Sequence, residues 1–149
     1  MIQRRTLSCS LLLASLLGLS ACNTSPVAAV STSMSASLSG ANEVPPTNTN
    51  GNGAASASLD KQTLMLSWIV TYSGLSGPVT GGHFHGPAMV EQNAGVVVPF
   101  TGSLESPING RAQLTPAQAA DLMDGKWYVN LHTAAKPGGE IRGQVTVYR

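Results

Sequence analysis

Thr63-Leu-Met-Leu-Ser-Trp-Ile-Val-Thr-Tyr72 decides the fold class. Leu64, Leu66, Trp68 and Val70 fall on alternate positions of a run rich in β-branched and aromatic residues. That pattern describes a strand with one apolar face. On its N-terminal side, Asp60-Lys61-Gln62 reads as a hairpin turn leading back to Ala55–Leu59, and Ser35–Ser39 alternates in the same way. On the other side, Val79–His85 is a strand interrupted by Gly81-Gly82. Gly95–Thr101 is a continuous apolar run, hence a buried strand, with Pro99 marking an edge or a bulge. Ile108–Leu114 is the next strand. Trp127–Thr133 and Glu140–Tyr148 follow, joined by Lys136-Pro-Gly-Gly139. One helix interrupts the series. Thr115 is its N-cap, Pro116 its first residue, Gln118 completes a capping box, and Gly125 stops it. The expected class is all-β, an antiparallel Greek-key sandwich or barrel of about eight strands with one short helix.

The chain opens with Arg4-Arg5, an apolar stretch Leu11–Leu19, and Leu19-Ser20-Ala21-Cys22. A basic start, a short apolar stretch and small residues at a cut describe a secretory signal peptide. The apolar stretch is too short to span a bilayer, which takes roughly 20 residues. Leu-Ser-Ala-Cys resembles the bacterial lipobox, which implies a signal peptide over residues 1–21 and lipid on Cys22. Residues 22–34 then form a Ser-, Thr- and Pro-containing tether, and residues 35–149 the domain. The expected partner is a membrane, reached through acyl chains that each bury about 0.8 kcal/mol per methylene. The expected location is the cell envelope. Asn23, where an Asp would resemble an inner-membrane retention signal, favours an outer membrane if the host has one.

With Cys9 removed and Cys22 lipidated, no thiol remains for a disulfide or a thiolate enzyme. Loss of Arg4 and Arg5 leaves six of the eight Lys and Arg against seven acidic residues. Such a balance offers no basic footprint, so nucleic acid is not an expected partner.

The chemistry-bearing residues are the three histidines. His83 and His85 stand at i and i+2, on one face of a strand and about 6.5 to 7 Å apart along it. Two imidazoles can lean from there to a common ion at about 2.0–2.1 Å, and His132 on another strand can complete the set. Three imidazoles without a thiolate suit copper or zinc. The open alternative is structural: strand histidines hydrogen-bonded into the sheet, with His132 held by a backbone carbonyl. Gly81, Gly82 and Gly86 are read as leaving room around the ligands. Met89, four residues past His85, offers a soft ligand or plain packing.

Four motifs in order resemble the CHRD domain, a module first described in chordin and found in bacterial exported proteins. They are Leu38-Ser-Gly-Ala-Asn-Glu-Val-Pro-Pro46, Gly82-His-Phe-His-Gly-Pro-Ala88, Gly125-Lys-Trp-Tyr-Val-Asn-Leu-His-Thr133 and Pro137-Gly-Gly-Glu-Ile-Arg-Gly-Gln144. The resemblance covers roughly Ser35 to Tyr148 and implies a fold more than an activity. Gly-His-Phe-His-Gly is also similar to the Gly-x-His-x-His segment of copper-zinc superoxide dismutases, where the pair binds copper. His83 and His85 match that pair, and His132 is similar to the late copper histidine. With three histidines in all, the zinc ligands and the bridging histidine have no counterpart, and Arg142 is only a loose match to the late arginine.

Glu140 and Arg142, at i and i+2, read as a salt bridge, or as residues that orient an anion beside a metal. Asn42-Glu43-Val44-Pro45-Pro46 reads as a rigid loop closing one end of the domain, or as a peptide-like docking edge. Trp68, Trp127 and Tyr128 read as core. No nucleophile elbow, paired carboxylates or phosphate loop is present, so no catalytic residue is assigned. Two functions remain open: a metal-binding envelope module, or a non-enzymatic structural or interaction module meeting a protein or envelope polymer.

Overall fold

The computed structural model describes residues 30–148; residues 1–29, with the signal segment and Cys22, lie outside the described residues. The strands are β1 (Ser31–Ser39), β2 (Asn52–Asp60), β3 (Met65–Ser73), β4 (Val79–His85), β5 (Val96–Pro99), β6 (Ile108–Gln113), β7 (Tyr128–Thr133), β8 (Lys136–Gln144) and β9 (Thr146–Val147). A 3-10 turn, Gly40–Asn42, follows β1, and one helix, α1 (Pro116–Met123), separates β6 from β7. β1 takes in Ser31 to Met34, which the sequence reading gave to the tether. Thr32, Met34, Ala36 and Leu38 alternate inward along it, so the apolar period begins earlier than Ser35.

All pairings are antiparallel, in the order β5-β4-β7-β8-β1-β2-β3-β6, with β9 added beside β1. β4 lies beside β7, and β8 beside β1, through long connections of the Greek-key kind. The sheet curls until its two ends meet across the core. Trp68 of β3 stacks on Phe100, just past β5, at 5.2 Å, and meets Phe84 of β4 edge-on at 5.2 Å. The expected sandwich or barrel is therefore one nearly closed sheet. Leu66, Val70, Leu131 and Ile141 are fully buried inside it. Each such side chain contributes about 1.5–3 kcal/mol by leaving water. Gly110 lets Trp68 lie flat on β6, since a Cβ there would fall 2.2 Å from the indole.

The helix begins as its sequence requires. Thr115 Oγ1 accepts from Gln118 N–H, and Gln118 Oε1 accepts from Thr115 N–H at 2.8 Å. Gly125, at φ 72°, ends it. The β7–β8 connection differs from expectation. The turn is Ala134-Ala135, and Lys136-Pro-Gly-Gly139 belongs to β8. Thr133 pairs with Lys136 while Leu131 pairs with Ile141, so β8 carries a bulge opposite His132. Gly139, at φ 127°, takes the backbone conformation the bulge demands.

That bulge separates Glu140 from Arg142. Among the described residues the ion pairs are those of Lys126 with Asp121 and Asp124, and the expected Glu140–Arg142 bridge is not formed. Glu140 turns to the end of the barrel, where it is 0% exposed. Its Oε1 accepts from Thr49 Oγ1 (2.6 Å) and Ser76 N–H (2.8 Å), and its Oε2 from Ser76 Oγ and Thr133 Oγ1, each at 2.6 Å. Burial alone would raise this carboxyl, but the Ser76, Thr133 and Thr49 donors override it and hold it at about 2. One carboxylate thus ties β8 to β7 and to the segments around Thr49 and Ser76.

Glu140→Ala should lower stability by about 3 kcal/mol, since it strands several buried donors. Urea unfolding at pH 7 measures this. The folded pKa lies below the ordinary 4.5. The contribution of Glu140 is therefore fully present above pH 4.5 and is lost as pH falls from 4.5 towards 2. The Ala variant should lack that acid limb.

Candidate metal centre

β4 places His83 and His85 on the outer face of the sheet, while Phe84 between them points to the core. β7 presents Tyr128, Asn130 and His132 on that same face. His83 stands opposite Asn130, His85 opposite Tyr128, and His132 opposite Gly81. The three histidines therefore meet. A nitrogen from each lies within 4.8 Å of the others. Only Gly81 of the nearby glycines bears on them, since a Cβ there would lie 3.3 Å from the His83 ring. Gly82 and Gly86 serve the core instead, making room for Phe100 and for Trp127.

Backbone carbonyls fix two of the rings. His85 Nδ1 donates to Ala94 O at 3.0 Å, and His132 Nδ1 donates to Pro137 O at 2.9 Å. A neutral imidazole with Nδ1–H carries its lone pair on Nε2. His132 Nε2 faces His83 Nδ1 at 3.1 Å, with Asn130 Oδ1 3.0 Å away. His85 Nε2 is buried and has no hydrogen-bond partner. The anchored His85 ring thus holds one lone pair in place on a buried nitrogen. N–N separations around a metal at about 2.0–2.1 Å are roughly 3.3–3.6 Å. The His83–His132 spacing is already close to that, and His85 needs a small approach.

Burial lowers the His83 pKa to about 4, helped by the neighbouring His132 and His85. Burial also lowers His85, against the Ala94 carbonyl, which raises it. Both shifts favour the neutral ring, the form that ligates, and His83 keeps it down to about pH 4.

The second layer was largely invisible to sequence reasoning. The carbonyls of Ala94 and Pro137 carry no side-chain signature. Tyr128 and Asn130 were readable, because alternation in Tyr-Val-Asn-Leu-His puts them on the face of His132. Tyr128 is buried, as expected of a core residue, yet it serves the site. Its ring stacks on His85 (4.8 Å, 1° between planes), and its hydroxyl and Ala94 are hydrogen-bonded. Arg142 lies over the other face of that ring, its guanidinium carbon 3.4 Å from the centroid. Arg142 thus stands behind Tyr128 and His85, whereas Glu140 supports the strand through Thr133, next to His132. Met89 is 55% exposed and belongs to no part of the cluster. Glu43, from the loop after β1, is buried above this face, and its backbone N–H closes the turn on Gly40 O.

The family model described as CHRD domain matches residues 34–145, from the middle of β1 to the end of β8. No curated protein and no solved structure matches the chain.

His83 should titrate far below an ordinary imidazole. Its Cε1 and Cδ2 proton shifts in the metal-free protein should stay those of the neutral ring at pH 6, with a midpoint near 4. A midpoint near 6.5 would mean that the cluster is open to water. The folded pKa lies below the unfolded one, so this group costs stability progressively as pH falls from 6.5 to about 4.

Proposed function

The chain belongs to the CHRD domain family, and from that premise and the histidine geometry we propose that it is a lipid-anchored envelope module that binds copper or zinc through His83, His85 and His132. The observation that carries the reading is His85 Nε2, a buried nitrogen without a partner, on one of three histidines that each offer a nitrogen within 4.8 Å of the others. An unsatisfied buried polar atom is costly and calls for an explanation. A bound cation would satisfy His85 and share the lone pairs of all three rings. Of the two metals, copper(II) binds a given nitrogen site more tightly than zinc. Histidine sites of this kind suit buffering or sequestering metal at a surface. Superoxide chemistry would be a further property of a copper-loaded form, with Arg142 set back behind Tyr128.

Export and anchoring rest on the signal segment and Cys22. Among the described residues no helix is long and apolar enough to cross a membrane. A single lipidated cysteine would supply attachment without one.

A second reading has its own observation. His83 and His132 share a hydrogen bond, and His132 is also bonded to Pro137 O, which suits a non-enzymatic structural or interaction module. Isothermal titration of copper(II) and zinc(II) separates the two. Tight one-to-one binding that is lost in His83→Ala, His85→Ala and His132→Ala supports the metal module. Binding no tighter than in the triple variant, with lower folding stability, supports the structural one. Protons should compete at His83 only near its pKa of about 4, so the affinity loss below pH 6.5 should be shallower than for three ordinary imidazoles. Growth of labelled palmitate into the protein, abolished by Cys22→Ser, tests the anchor.

A further inference from the structure

On the same outer face, beyond Tyr128, a cleft of about 560 Å³ opens between the loop after β1 and the segment that follows β4. Ligand clefts are typically roughly 300–1,000 Å³. Arg142 and Gln144 of β8 line it, with Val44, Pro46 and Val90 as apolar lining. Arg142 is 2% exposed. A guanidinium has five N–H donors. One on Nη1 goes to Asn93 Oδ1 (3.0 Å) and one on Nη2 to Gln92 O (2.7 Å). Among the described residues no carboxylate is within ion-pair distance of it. The guanidinium lies over the Tyr128 ring, and Glu43 attracts it from beyond ion-pair distance. A buried cation without a close ion-pair partner is costly, and a planar guanidinium matches a carboxylate in two-point geometry.

The lining also limits what can enter. Glu43 and Glu91 border the cleft, which disfavours a second negative charge. Glu43 makes no ion pair with Arg142 among the described residues: burial pushes its carboxyl up to about 7, against the pull of the Arg142 charge. Val90, 65% exposed at the cleft, is an apolar surface without a partner. Glu91 beside it sits at φ 65°, a strained conformation of the sort found where a loop is shaped for contact.

We propose that this cleft binds a monocarboxylate with an apolar body, the carboxylate on Arg142 and the body against Val44, Pro46 and Val90. The site is separate from the histidines and does not need a metal.

Phenylacetate and its neutral isostere phenylacetamide are titrated into the full chain with EDTA present, and binding is read by calorimetry. The acid should bind at least about tenfold more tightly than the amide, the effect of one charge-assisted contact. Arg142→Gln should remove that preference. Because Arg142 also holds Gln92 and Asn93, a second variant is needed. Val90→Asp, at an exposed position, should weaken phenylacetate by about tenfold and leave the unfolding midpoint unchanged. His83→Ala should leave phenylacetate affinity as it is. Equal affinity for acid and amide overturns the proposal, as does binding of neither compound at saturation. Loss of phenylacetate binding in His83→Ala would place the acid at the histidines and overturn it as well.

Discussion

β7 and the Gly139–Gly143 stretch of β8 are buried on both faces, and most of the chemistry of this molecule follows from that constraint. Their inward residues, Val129, Leu131 and Ile141, are ordinary core. Their outward residues are Tyr128, Asn130, His132, Arg142 and Gln144, which are polar and yet covered by the loop after β1 and the segment after β4. A polar group taken out of water needs a partner or costs several kcal/mol. Two strands with such a face cannot exist without a network above them, and the covering loops supply it. Arg142 binds Gln92 and Asn93, Asn93 Nδ2 donates to Val44 O at 2.9 Å, and Gln144 Nε2 donates to Ala88 O and Gly125 O. The loops are thereby held to the sheet and to each other.

Where that network is incomplete, it is incomplete in one region. Among the described residues, four buried side-chain atoms lack partners: Glu43 Oε1, Trp68 Nε1, His85 Nε2 and Gln144 Oε1. Trp68 is an indole packed against Gly110 inside the barrel. The other three belong to the outer face or to the loop that covers it. Low dielectric there also explains the two perturbed groups of opposite kind, a histidine kept neutral and a glutamic acid kept partly protonated. Perturbed groups gathered around a cleft are a common property of functional sites. Tyr128 is the shared wall: His85 stacks on one side of it and Arg142 on the other.

Period-two alternation made most of the fold legible. Leu66, Trp68 and Val70 point inward as their spacing demands, and Thr115 with Gln118 caps the helix through the expected reciprocal bonds. The meeting of His83 and His85 was likewise readable from one strand. That His132 joins them required the β4–β7 pairing, a long-range contact that no local pattern encodes. Alternation failed at β8 for a definite reason. The bulge opposite His132 inserts residues without a cross-strand partner, so Glu140 and Arg142 do not share a face as an i, i+2 pair would. Lys136-Pro-Gly-Gly139 has the composition of a turn because a bulge needs the same permissive residues. Strand β1 extended into a segment that Ser and Thr had made look like tether, since small polar residues suit an outward strand face as well as a linker.

The balance between a structural and a metal-binding role for the histidines turns on which one leaves less unexplained. Hydrogen bonding within the protein accounts for His132 Nδ1 through Pro137 O, and for His83 Nδ1 through His132 Nε2. It does not account for His85, whose Nδ1 is anchored and whose Nε2 is buried without a donor. A purely structural strand position would be served at least as well by an apolar residue, because burying an unpaired nitrogen gains nothing over burying carbon. Anchoring Nδ1 on a carbonyl while leaving Nε2 unpaired is, by contrast, how a metal-ligating histidine is oriented. His85, the most buried of the three, is therefore the residue on which the metal reading rests, and the one whose role a hydrogen-bonded sheet leaves without a cause.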